Sequence, residues 1–235
     1  MVEPFVLRAA ERRVIGVLIE KSLSTPQYYP MTLNALVAGC NQKNNREPLV
    51  EYIEEEVSQV LDDLKSRNLV TVVYPASGRT EKWRQELTAS LELDGPQKAI
   101  IGELLLRGAQ SLGELRQRAS RMKPIADLPT LEAVLETLRT RPWPLIVRLT
   151  EAGVKRGVRV THNFYEPREM AALREVEARG AELESGGFGS GGETAASHHA
   201  SAGGAGSSST AAAVRAELDA VRARLERIER HLGLQ

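Results

Sequence analysis

An internal repeat constrains this chain more than any other feature. "VSQVLDDLKSR" (Val57–Arg67) and "LEAVLETLRTR" (Leu131–Arg141) carry apolar residues on the same helical period, with Val134, Leu135 and Leu138 in the places of Val60, Leu61 and Leu64. Upstream, "VIGVLIEKS" (Val14–Ser22) is matched by "AIIGELLLRG" (Ala99–Gly108), which pairs Leu18 with Leu104. "TLNAL" (Thr32–Leu36) is matched by "SLGEL" (Ser111–Leu115), and Thr32 stands where a short second helix needs an N-cap. Downstream, "LVTVVYPASGRTEKWRQEL" (Leu69–Leu87) and "PLIVRLTEAGVKRGVRVTHNF" (Pro144–Phe164) each read as two strands around a turn. Helix, short helix, long helix and hairpin is the winged-helix order. Two copies predict a mainly α chain with small β-hairpins, an α+β fold of tandem winged-helix domains, each with its own aliphatic core.

The expected division is a first winged helix over residues 1–90 and a second over 91–166. A helical extension covers 167–184, a flexible Gly/Ser/Ala linker 185–210, and a coiled-coil-like helix 211–235. In that last segment Val214, Leu218, Val221, Leu225, Ile228 and Leu232 alternate spacings of four and three, which is a heptad seam. The seam predicts a homo-oligomer formed through residues 211–235. The alternative is an amphipathic helix that folds back on its own chain. The glycines of the linker are not a phosphate loop, since no strand precedes them and no Lys-Ser/Thr follows.

Composition narrows the function classes. No apolar run approaches the roughly 20 residues that span a bilayer, and the opening "MVEPFVLRAAERRVIG" lacks the core of a signal peptide. A cytoplasmic protein without membrane contact is expected. Cys40 is the single cysteine, so neither an internal disulfide nor a cysteine-built zinc site is available. A small buried thiol at the end of the second helix is its expected role. His198 and His199 fall in the linker and His231 near the chain end, while His162 in the second hairpin is expected at the surface. No P-loop, zinc-protease helix or nucleophile elbow is present. Catalysis, a metal and a cofactor are all not expected.

Nucleic-acid contact rests on a loop and two hairpins. In "AGCNQKNNREPLVEYIEEE" (Ala38–Glu56), Lys43 and Arg46 suit phosphate, while Gln42, Asn44 and Asn45 suit base edges or sugars. Arg79, Lys82 and Arg84 belong to the first hairpin, and Lys155, Arg156 and Arg159 to the second. Arg116, Arg118, Arg121 and Lys123 add charge along the short helix of the second copy and its exit. Against this stands a structural reading of the same loop, in which Asn41 caps a helix and the amides bind backbone. Glu54–Glu56 would also face phosphate if the third helix entered the major groove. They equally suit a helix N-terminus, where the macrodipole favours carboxylates. Residues 1–90 carry 11 Lys/Arg against 12 Asp/Glu, residues 91–165 carry 12 against 8, and residues 166–235 carry 8 against 11. Only the middle section has an electrostatic case for binding DNA.

"LIEKSLSTPQYYPMTLNALVAGCNQKNNREP" (Leu18–Pro48) and "LLLRGAQSLGELRQRASRM" (Leu104–Met122) resemble the YceH-like family of bacterial proteins, a domain of unknown function, over roughly Leu7–Phe164. The resemblance implies the tandem winged-helix fold and brings no established activity, substrate or site residue. The family usually has a small hydroxyl residue where Asn44 stands, and often Thr-Pro where this chain has Ser111-Leu112. Two expectations follow. The first is a DNA-binding protein of the transcriptional-regulator kind, with double-stranded DNA as partner. The second is a non-catalytic scaffold that binds protein through its winged helices. Fold analogy favours the first by a small margin; the neutral total charge and the acidic third helix favour the second.

Overall fold

A computed structural model describes residues 6–74, 80–150 and 157–185. The hairpin turns at 75–79 and 151–156, the Gly/Ser/Ala linker and the heptad helix lie outside the described residues.

Helix α1 (Ala9–Ser24) begins well before the apolar period at Val14 does. Glu11 and Arg12 in its first turn are buried and paired: the Glu11 carboxylate accepts from Arg8 N–H at 2.7 Å and from Arg67 at 3.0 Å, and Arg12 donates to the Leu7 carbonyl at 2.6 Å. A single 3₁₀ turn at Pro26–Tyr28 leads to α2 (Leu33–Cys40), where the Thr32 hydroxyl accepts from Ala35 N–H at 3.3 Å. Helix α3 (Glu54–Ser66) is capped by Glu56, which reaches back to accept from Ile53 N–H at 3.0 Å. Strands β1 (Val70–Val73) and β2 (Lys82–Gln85) pair antiparallel, with Val72 opposite Trp83. A short α4 (Leu87–Ser90) joins this half to the next.

The second half opens with α5 (Gly95–Arg107), started by a reciprocal Asp94–Gln97 capping box with bonds of 2.9 and 3.1 Å. Strand β3 (Gln110–Ser111), α6 (Leu112–Ala119) and α7 (Leu128–Arg139) follow. The half closes with β4 (Ile146–Arg148) and β5 (Arg159–His162), and α8 (Pro167–Ser185) runs on beyond it. The described chain is therefore mainly helical, with a two-stranded antiparallel sheet and a three-stranded one ordered β3-β5-β4.

The repeat register holds residue by residue. Leu61 and Leu135 are buried, as are Leu64 and Leu138, while Val60 and Val134 are both half-buried. β3 also has a counterpart. Met31, just before the Thr32 cap, makes an isolated antiparallel bridge to Trp83, with bonds of 3.1 and 2.7 Å. Gln110, just before the Ser111 cap, pairs in the same way with Val160.

The two halves meet through α1 and α5, and the contact is reciprocal. A Cβ on Gly16 would lie 2.9 Å from the Leu106 side chain and 3.2 Å from that of Leu105; one on Gly102 would lie 2.8 Å from Ile19. In the register that pairs Leu18 with Leu104, Gly16 corresponds to Gly102 and Ile19 to Leu105. Each half thus presents a bare glycine to the aliphatic residue that the other half places at the equivalent position, the arrangement of an isologous interface. For this reason the buried aliphatics form one cluster through both halves and not two separate cores. Among the described residues no helix is long and apolar enough to cross a membrane.

Candidate functional site

The loop between α2 and α3 is built from the inside. Asn41 ends α2, and its side chain donates to the Tyr52 carbonyl and accepts from Tyr52 N–H, both at 2.8 Å, closing the loop at its base. Arg46 fills the space this closure encloses. Its side chain is fully buried, Nε donates to the Gly39 carbonyl at 3.0 Å, and Nη1 donates to the Asn45 carbonyl at 2.8 Å. Nη2 bonds the Glu20 carboxylate at 2.7 Å and Gln42 at 2.9 Å. The sequence left Arg46 between phosphate contact and a structural role in the loop; the structure places it in the loop's interior, where Glu20 on α1 supplies the counter-charge.

Asn45 is also committed. It adopts the left-handed backbone region at φ 61°, which asparagine tolerates better than most residues. Its side-chain carbonyl accepts from Arg107 and Arg121 of the second half, each at 2.8 Å. Gln42 accepts from Arg46 and, at 3.4 Å, from Lys21. Lys43 and Asn44 alone among the five extend from the loop into solvent with no side-chain partner among the described residues.

Among the described hairpin cations, Lys82, Arg84 and Arg159 have different surroundings. Lys82 and Arg84 lie on the outer side of β2, since Trp83 and Gln85 turn inward, and Arg84 is paired with Glu86 at 2.8 Å. Arg159, expected at a DNA-facing hairpin, turns toward α8: it pairs with Glu177 at 2.6 Å and donates to the Ala109 carbonyl at 3.1 Å. Arg79, Lys155 and Arg156 lie outside the described residues.

Two other polar groups sit deep. His162, expected at the surface, is 1% exposed, stacks on Tyr165 at 4.0 Å between ring centroids, and accepts through Nδ1 from Phe164 N–H. Burial and the nearby Arg12 charge hold its pKa well below the ordinary histidine value. Cys40 is buried as expected, and burial pushes its thiol pKa up to about 12, so it carries almost no thiolate at neutral pH.

One surface escaped sequence reasoning. Glu47–Glu56 holds five carboxylates and no cation, and within it Leu49 is 62% exposed and Ile53 58%. The signal was present in "EPLVEYIEEE", whose two solvent-facing aliphatics look like core residues until the fold shows where the chain turns.

Comparison with known proteins agrees with the family resemblance. Residues 7–155 match the family described as "Protein of unknown function, DUF480". A UPF0502 protein of Geotalea daltonii is 44% identical over 177 residues, covering 75% of this chain and 81% of its own. A UPF0502 protein of Geotalea uraniireducens is 46% identical over 165 residues, 70% of this chain and 75% of its own. The UPF0502 protein YceH of Salmonella paratyphi B is 42% identical over 165 residues, 68% of this chain and 77% of its own. This chain belongs to the DUF480 family, in the company of the UPF0502 proteins, YceH among them.

Proposed function

We propose that each half is a winged helix and that the chain is a non-catalytic scaffold that docks a basic, partly aliphatic protein segment. The observation that carries this is the start of α3. In a helix-turn-helix the N-terminal end of the second helix of the motif enters the major groove. Here that end presents Glu51, Glu54 and Glu55, with Glu47 just before the turn, and the exposed side chains of Leu49 and Ile53. Carboxylates at that position repel phosphate, whereas the same charges around two apolar side chains suit a cationic peptide with aliphatic anchors.

Peptide-display selection on the full chain tests this. The expected consensus combines Lys/Arg with Leu, Ile or Val, and Ile53→Ser and Glu54→Gln each weaken the selected peptides. Selected sequences that bind both variants as tightly as the parent would end the scaffold reading.

Double-stranded DNA is the second reading, supported by the exposed Lys43 and Asn44 and by Lys82 on the outer face of β2. Its signature is duplex binding whose affinity falls steeply with salt, by a log–log slope of about 0.9 per phosphate neutralised. Lys43→Ala would lower that slope by about one. On either reading, residues 211–235 join copies of the chain through their heptad seam, and identical sedimentation of the full chain and a chain lacking them would reject that role.

A further inference from the structure

A cavity of about 570 Å³ opens where α1, the α2–α3 loop, the second half and α8 converge, and five arginines line it: Arg12, Arg13, Arg107, Arg118 and Arg159. Four of them have carboxylate partners. Arg12 bonds Glu169 at 2.9 and 2.6 Å, Arg107 lies 3.2 Å from Glu103, Arg118 lies 3.1 Å from Glu114, and Arg159 lies 2.6 Å from Glu177.

Arg13 differs. It is 4% exposed, its Nη2 donates to the Pro48 carbonyl, and its Nη1 is buried with no acceptor. Among the described residues no carboxylate pairs with it, and the charged group that acts on it is Arg46, of like sign. A buried guanidinium without counter-charge is costly unless something meets it. Tyr52 lies on the same wall, within electrostatic reach of Arg13; burial keeps its phenol protonated, and its hydroxyl has no hydrogen-bond partner among the described residues.

We propose that this cavity binds a small organic acid, with one carboxylate oxygen accepting from the Arg13 guanidinium, the Tyr52 hydroxyl donating to the carboxylate, and an apolar body against Val50, Leu105 and Leu173. The local pairing selects a monoanion. Four of the arginines already have carboxylate partners, and Arg13 is the one left unpaired among the described residues. Glu47 in the lining brings the cavity's overall charge to zero and leaves nothing to match a second negative charge. The volume suits a ligand of metabolite size, since such sites run to about 300–1,000 Å³. Placement between the two halves means that an occupant touches both, so its binding is linked to how they are held together.

The test is calorimetric titration and thermal shift of the full chain with acetate, benzoate, 3-phenylpropionate and inorganic phosphate. Benzoate and 3-phenylpropionate are expected to bind and to raise the melting temperature, acetate to bind more weakly, and phosphate not to bind. Arg13→Met replaces the guanidinium with an apolar chain of similar length and is expected to weaken the aromatic acids about 10–100-fold, the loss of a charge-assisted hydrogen bond. Tyr52→Phe, which keeps the ring and removes the donor, is expected to weaken them by about 3–10-fold and gives an independent readout should Arg13→Met fold poorly. Failure of all three carboxylates to bind the parent, carboxylate binding unchanged in both variants, or phosphate binding in preference to carboxylate would each overturn the proposal.

Discussion

Replacing Arg46 by alanine separates a loop that is held together from within from one that is built to touch phosphate. The side chain is fully buried and makes hydrogen bonds to the carbonyls of Gly39 and Asn45, to Gln42 and to the Glu20 carboxylate. Its removal leaves Glu20, only 12% exposed, with Lys21 at 3.4 Å as its remaining cation, and strips an acceptor-satisfying donor from two carbonyls. Breaking a buried ion pair from one side costs about 3–5 kcal/mol. The residual Lys21 contact and water entering the emptied space place Arg46→Ala near the lower end, about 3 kcal/mol. For a folded unit of this size that is a fall of about 6–12 °C in melting temperature. Urea and thermal denaturation followed by circular dichroism measure it. Arg46→Lys keeps the charge but cannot form the same fork of bonds, so it recovers only part of the loss. A double-mutant cycle with Glu20→Gln should return a coupling of about 1.5–3 kcal/mol. Lys43→Ala, three residues away and exposed, should leave the transition where it is. An Arg46→Ala protein as stable as the parent would refute the interior assignment.

Three further outcomes follow from the packing. His162 stays neutral in the folded chain because its pKa is lowered, whereas the unfolded chain takes up a proton below about pH 6.5; stability should therefore fall as pH drops below that value, by up to about 1.4 kcal/mol per pH unit, and His162→Gln should flatten the slope. Cys40, with its thiol pKa pushed up to about 12, should resist a thiol-specific disulfide reagent at pH 8 in the native protein and react at once in denaturant; rapid native labelling would contradict its burial. Leu61→Ala and Leu135→Ala should each cost about 2–5 kcal/mol in chemical denaturation, and an unaffected transition in either would break the register between the halves.

What could be read from the sequence and what could not divides along one physical line. Apolar periodicity and cap residues are local signals, and they located α2 behind Thr32, α3 from the acidic run at Glu54, α6 behind Ser111 and the strand pairs. Polar residues that are buried only because a distant residue pairs with them leave no local trace. Thus α1 begins earlier than its apolar stripe, since Glu11 meets Arg67 and Arg12 meets Glu169. Arg46 is interior because of Glu20, and Arg159 faces inward because of Glu177. His162 followed the same rule, its place among Phe164, Tyr165 and Arg12 being set by tertiary packing. The two-residue β3 and the single Met31–Trp83 bridge are too short to show alternation, and the four-residue α4 too short to show a period. Of the five loop residues, Gln42, Lys43 and Asn44 are the ones whose surface position the sequence alone conveyed.

The reciprocal seating of Gly16 and Gly102 bears on how such a chain can change. In a contact between two identical subunits, one codon alters both sides of the symmetry axis together, and a substitution tolerated at one copy of the contact is imposed on the other. Here the two copies of the contact lie on one chain, joined through α4, so association is intramolecular, at an effective concentration on the order of millimolar, and does not weaken on dilution. Each side also answers to its own codon. Gly16 can be enlarged against a smaller residue in place of Leu106 while Gly102 keeps Ile19, so the halves are free to drift apart in sequence and task without coming apart in space.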